Sequence, residues 1–353
     1  MKATGPLLLA RYLALAWLGV VIYASLHPFS GWRDFGVSPL AYLSAGWPRY
    51  WTAFDLVVNV IGYLPLGFLL TLALSALPGP LTAAVHATAP AAAVTLSNET
   101  LHVLLPTRVP SNVDLACNSL GGLLGAVLGH IAGPRFFARV GAWQHRLIVP
   151  RPHAELGLTL LALWLFIPVS PEILLFGAGD FRPILDLPVA LPFTVGSFPK
   201  VETAVVACNA IAVGMLVRLL AASTGLAYLL VPCFLALGLL VRTLAAAVLV
   251  DAHQAFAWWT PGVQTGLLIG LGALLPLILM PRWIGVMIAA LALMSGTALV
   301  NIAPANPYSL VALAVWRQGH FLNFNGLTRV ISISWPFMTL PYLIFSSRWI
   351  GMR

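Results

Sequence analysis

A chain of 353 residues that is 60% hydrophobic and only 8% charged, with a mean hydropathy of +0.95, lies far outside the composition of soluble globular proteins and reads as a polytopic membrane protein. Its net charge of +8 is then explained by arginines in short loops beside a bilayer rather than by a nucleic-acid surface. The three cysteines all fall inside apolar runs and imply neither a disulfide framework nor a metal site, so no metal, cofactor or nucleic-acid partner is expected.

In chain order, ten apolar runs of about 17 to 25 residues, each enough to cross ~30 Å of hydrocarbon, start near Leu7, Phe54, Leu81, Val113, Leu156, Glu202, Leu226, Pro261, Trp283 and Gly326. The run Leu7 to Leu26 lacks a clear small-residue cleavage site and reads as a retained first helix. The last run contains Pro336 and Pro341, and Tyr308 to Trp316 ahead of it reads alternatively as an interfacial helix. The expected fold class is all-α, a polytopic transmembrane helix bundle of about ten helices.

Loop arginines set the expected orientation. Between Pro134 and Glu155 the chain carries Arg135, Arg139, Arg146 and Arg151 against Glu155 alone, which assigns this linker and both termini to the cytoplasm of an inner (plasma) membrane protein. The loops Ser30 to Ala53, Pro106 to Asn112, Gly177 to Lys200 and Asp251 to Thr260 then lie outside. Trp32, Trp47, Trp51, Trp258 and Trp259 form an aromatic belt at the outer helix ends. The linker, 134–153, separates a four-helix unit, 1–133, from a second one, 154–280, and 281–353 supplies two C-terminal helices. A shift of 147 residues brings Asp55 onto Glu202, Gly67 onto Gly214, Asn118 onto Thr265 and Gly125 onto Gly272; the second unit reads as a parallel repeat that has lost the charged set, or the matches are chance in Ala/Leu/Gly-rich sequence.

The chemistry-bearing residues gather around one turn. Helix two begins Asp55-Leu-Val-Val-Asn59 and helix four begins Asp114-Leu-Ala-Cys-Asn118, and the i, i+4 spacing puts each Asp and Asn on one face. Helix three runs the other way and carries Glu99 and His102 to the same depth, just before Arg108. Three carboxylates, two amides, a histidine and an arginine are therefore expected at the outer end of one bundle. Charges in a membrane segment are costly unless they pair or line a wet cavity, and Arg108 is the natural counter-ion for Glu99 or Asp114 as well as a suitable donor to a phosphate.

Structural roles compete for several of these residues. Asp55 and Asp114 stand where an acid caps a helix, Asn59 and Asn118 suit hydrogen bonds between helices, and Gly121, Gly125 and Gly129 form a close-packing stripe. His27 and His102 suit packing or the interface. Glu99 needs no cap and is expected to pair or to function. The chain has no nucleophile elbow, zinc-protease motif or phosphate-binding glycine loop. Asp34 beside Arg33, and Asp251-Ala-His253-Gln254, read better as solvated loops.

Taken together, Asp55-x3-Asn59, Leu64-Pro-Leu-Gly-Phe-Leu-Leu70, Glu99, Arg108, Asp114-x3-Asn118 and Gly121 resemble the pattern of the VanZ-like family over residues 1 to 133; where many members carry Gln after the Glu, this chain has His102. The resemblance implies a membrane protein of the bacterial cell envelope. The family is named for an association with teicoplanin resistance, and members occur near envelope polysaccharide genes, without an established activity.

The expected function is binding of an anionic lipid or lipid-linked glycan at an outer site built from Glu99, Arg108, Asp114, Asn118, Asp55, Asn59 and His102, with membrane lipids and envelope-biosynthesis proteins as partners. A transporter or flippase, and a non-catalytic membrane scaffold, are the alternatives. An enzyme using Glu99 as general base is disfavoured because no nucleophile is recognisable.

Overall fold

The computed structural model describes residues 5–27, 29–48, 51–74, 80–150, 153–170, 173–185, 194, 196–304 and 322–350. Tyr308 to Trp316, read above as a candidate interfacial helix, lies outside them. The described residues form helices α1 (Gly5–Leu26), α2 (Ala53–Ala73), α3 (Pro80–His102), α4 (Asn112–Ile131), α5 (Gly133–Leu147), α6 (Ala154–Trp164), α7 (Arg182–Leu185), α8 (Phe198–Leu220), α9 (Thr224–Leu249), α10 (Pro261–Leu277), α11 (Arg282–Ile302) and α12 (Leu322–Ile350). No strand occurs among them. The spans Leu8–Leu26, Asp55–Ala73, Phe198–Leu220, Thr224–Val248 and Arg282–Ile302 are long and apolar enough to cross a membrane. The chain is a polytopic helical membrane protein.

It divides into two compact units, Met1–Trp143 and Gln144–Arg353. In the first, α4 packs along α2 and also against α3, while α1 packs on α2. Glycine makes the α2–α4 approach so close. A Cβ at Gly121, Gly125 or Gly67 would collide with the carbonyl of Val60, Leu64 or Gly122, so the two backbones interdigitate as small-residue membrane packing allows. Gly122 points the other way, and its added Cβ would meet the Ala91 Cβ of α3 at 2.9 Å. The glycine stripe thus serves packing, and it holds the N-terminal ends of α2 and α4 side by side.

Local signals start these helices. Thr52 accepts from the Asp55 N–H while the Asp55 carboxylate accepts from the Thr52 N–H, a reciprocal capping box. Ser111 accepts from the Asp114 N–H at the start of α4.

In the second unit α8 is the central helix, contacted by α10, α11, α9 and α6. Gly214, Gly266 and Gly270 admit the close approach of α8 and α10, and Gly285 and Gly296 do so for α8 and α11. Trp164, Phe176, Leu216, Leu274 and Trp335 fill the core. α11 and α12 belong to this same unit. The expected span from Leu156 is shorter than a full crossing: α6 stops at Trp164 and a 3-10 turn follows at Ile167–Val169. Pro168 explains the stop, because its ring would clash with the Trp164 carbonyl four residues back and it offers no N–H.

Candidate functional site

The turn 103–111 brings the C-terminal end of α3 beside the N-terminal ends of α2 and α4, and the last turn of α1 closes the group. Glu99, 2% exposed, is its centre. One carboxylate oxygen, Oε2, accepts from the Ser111 backbone N–H at 2.9 Å and faces Nδ1 of His102 at 3.2 Å. The opposite nitrogen of that imidazole, Nε2, lies 3.0 Å from the Ser25 hydroxyl and 3.0 Å from the Ser25 carbonyl. With the proton on Nδ1 donated to Glu99, Nε2 accepts from Ser25 Oγ–H; once the ring is doubly protonated, the carbonyl accepts instead. The result is a hydroxyl–imidazole–carboxylate chain between α1 and α3.

Arg108 takes a different place from a simple counter-ion. Its Nη2 donates to the carbonyls of Ala24 and His27, at 3.0 and 3.1 Å. A guanidinium there satisfies acceptors that the end of α1 leaves open and complements the helix dipole. Among the described residues it forms no ion pair with Glu99 or Asp114. The carboxylate still acts through space: burial pulls the Arg108 pKa below its ordinary value, and Glu99 works in the opposite sense.

The remaining polar residues tie helices together. Asn59 donates to Asp114 at 2.7 Å, linking α2 to α4. Asn118 donates to Thr95 at 2.9 Å, linking α4 to α3, and Asn98 donates to the Tyr63 hydroxyl at 3.3 Å. Asp55 is occupied at its own helix start. Asp34 accepts from Gly36 N–H, and Asp251 from His253 N–H, each within an exposed loop turn. The structure brings Glu99, His102 and Arg108 into one neighbourhood with Asn59, Asp114 and Asn118 beside it, and leaves Asp55 at the α2 rim.

A cavity of about 360 Å3 opens next to this group, lined by Arg33, Phe35, Tyr42, His102, Arg108 and Val109 among others. The Arg33 guanidinium stacks over the Phe35 ring at 4.5 Å, and its backbone N–H is fixed on the Leu104 carbonyl at 3.0 Å. Tyr42 is only 4% exposed, and its hydroxyl has no hydrogen-bond partner among the described residues. Two cations, a histidine and the Tyr42 side chain therefore line one space, while the Tyr42 oxygen itself is shut off from it. That set suits an anionic oxygen-rich group, with guanidinium donors on two sides of it.

Ser25, Tyr42 and Arg33 were not singled out by the sequence as site residues. Ser25 carried a weak signal, a hydroxyl in the last turn of an apolar helix. Tyr42 carried none.

In comparison with known proteins, residues 12–133 match the family model described as VanZ/LLP1, the stretch that carries the motif residues above. No curated protein and no solved structure matches the chain.

Proposed function

We propose, taking residues 12–133 as a VanZ-like unit of a membrane protein, that this unit binds the anionic headgroup of a lipid or lipid-linked glycan in the Arg33–Tyr42–Arg108 cavity. The observation that carries the reading is a cavity lined by two arginines, Arg33 and Arg108, with no carboxylate among its described lining residues. Arg108 is held by α1 through Nη2 alone, so its other N–H groups remain for a phosphate. The cavity lies on the extracytoplasmic side of an inner or plasma membrane in this reading, and the place of the protein is envelope polysaccharide assembly.

Native mass spectrometry of protein extracted in mild detergent tests it. Wild type is expected to retain an anionic lipid or glycolipid that Arg33→Gln loses while keeping its thermal stability. Equal lipid retention in both proteins would overturn the reading.

One observation favours a second reading, acyl transfer. In the Ser25–His102–Glu99 chain, Ser25 Oγ would attack an ester carbonyl as its proton moves to His102 Nε2. The departing alcohol would then take that proton, with the imidazolium held by Glu99. A fluorophosphonate probe that labels wild type and not Ser25→Ala or His102→Gln supports this reading; no labelling of wild type rejects it.

A further inference from the structure

The charges of the first unit are sorted by end. Its acidic residues, Asp34, Asp55, Glu99 and Asp114, all belong to the end that carries the cavity. At the opposite end, reached by the start of α1, the end of α2 and the end of α4, there is no Asp or Glu in the sequence. That end carries Arg11, His130, Arg135 and Arg139.

Arg135 and Arg139 lie on α5, which begins at Gly133, one residue after the Ala132 that caps α4. A helix starting where a membrane-packed helix ends lies at the level of the lipid headgroups. At 100° per residue, Arg135, Ala138, Arg139 and Ala142 share one side, and Phe136, Val140 and Trp143 share the other. Phe136 is 52% exposed and Trp143 67% exposed, so the apolar side is largely uncovered within this unit. The helix is anchored at its start: Phe136 makes an edge-to-face contact with Phe68 of α2 at 6.0 Å, and Gly133 sits against Leu72. Anchorage, an uncovered aromatic side and a cationic side without carboxylates match a helix lying flat in a headgroup layer. Arg11 at the same end donates to the Ala73 carbonyl, which adds a cation at that level.

We infer that α5 is an in-plane interfacial helix whose Arg135 and Arg139 bind the headgroups of anionic lipids in the leaflet opposite the cavity, with Phe136, Val140 and Trp143 buried among the acyl chains. The inference is independent of what occupies the cavity.

The test uses the full chain with its cysteines replaced, reconstituted in nanodiscs of phosphatidylcholine with or without phosphatidylglycerol. Nitroxide labels are placed singly at residues 136, 140 and 143 and at 135, 138 and 142. The first set is expected to collide preferentially with oxygen and the second with a water-soluble nickel chelate. In native mass spectra, wild type and Arg135→Lys/Arg139→Lys are expected to retain phosphatidylglycerol over phosphatidylcholine. Arg135→Gln/Arg139→Gln should lower that preference by about fivefold per arginine. Nickel accessibility at 136 and 143, or a lipid preference unchanged in the Gln variant, would overturn the inference.

Discussion

His102 presents Nδ1 to Glu99 Oε2 at 3.2 Å and, on the opposite edge of its ring, Nε2 to Ser25 Oγ at 3.0 Å. One imidazole therefore joins α3 to α1, and the carboxylate behind it also holds the start of the next helix through Ser111. Glu99→Ala strips an acceptor from two buried donors at once. The expected loss is roughly 1 to 3 kcal/mol for each donor left unsatisfied, read as a lower melting temperature in detergent. Glu99→Gln keeps one acceptor oxygen and should lose less.

Tyr42→Phe is expected to behave in the opposite way. Its hydroxyl has no partner among the described residues, so deleting it removes an unsatisfied buried group, and the melting temperature should hold or rise slightly. A clear destabilisation, seen by the same thermal assay, would show that the hydroxyl supports the fold.

The glycine stripe predicts a steep positional contrast. Gly125→Ala forces a Cβ into the Leu64 carbonyl, and separating α2 from α4 is expected to cost about 1 to 3 kcal/mol or more. Gly62→Ala adds a Cβ where nothing lies within 4 Å, and better helix propensity should make it neutral or stabilising by up to about 1 kcal/mol. Parallel melts of the two variants check this.

Asp55 is expected to affect stability alone. Thr52→Ala or Asp55→Ala breaks the capping box at the rim of α2 and should lower stability by about 0.5 to 2 kcal/mol. Lipid retention by the surviving folded protein should match wild type. Loss of lipid at unchanged stability would return Asp55 to the binding site.

The helix starts and the convergence of Glu99, His102, Asp114 and Arg108 on one turn were legible because each depends on local spacing or on helix direction. The caps were legible only in part: Asp55 does share a capping box with Thr52, but at α4 Ser111 is the cap and the Asp114 carboxylate is taken by Asn59 instead. The glycine stripe is a four-residue signal. Contacts that depend on how one helix is rotated against another were not legible. Ser25 meets His102 across 77 positions, and Arg108 finds carbonyls more than 80 positions away. A sequence gives the charge of an arginine but not which acceptor is nearest. The residues aligned by the 147-residue shift also diverge in use: Asp55 caps its helix, whereas Glu202 lies buried in α8 and accepts from Thr260 at 2.6 Å. The shortening of α6 was signalled by Pro168, but length and apolarity outweighed that one residue in the reading.

Because the carbonyls of Val60, Leu64 and Gly122 fill the notches left by facing glycines, α2 and α4 cannot slide past one another without first moving apart. Asn59 and Asp114 are carried on that pair and keep a fixed separation. The cavity lies between the segment 33–42 and the turn 102–110, so neither of its walls belongs to that interlocked pair. The segment is tied to the turn by the Arg33 N–H on the Leu104 carbonyl, and to the start of α4 by Asn112 on the Ala45 carbonyl. The cavity can therefore change its width while the α2–α4 interlock stays closed.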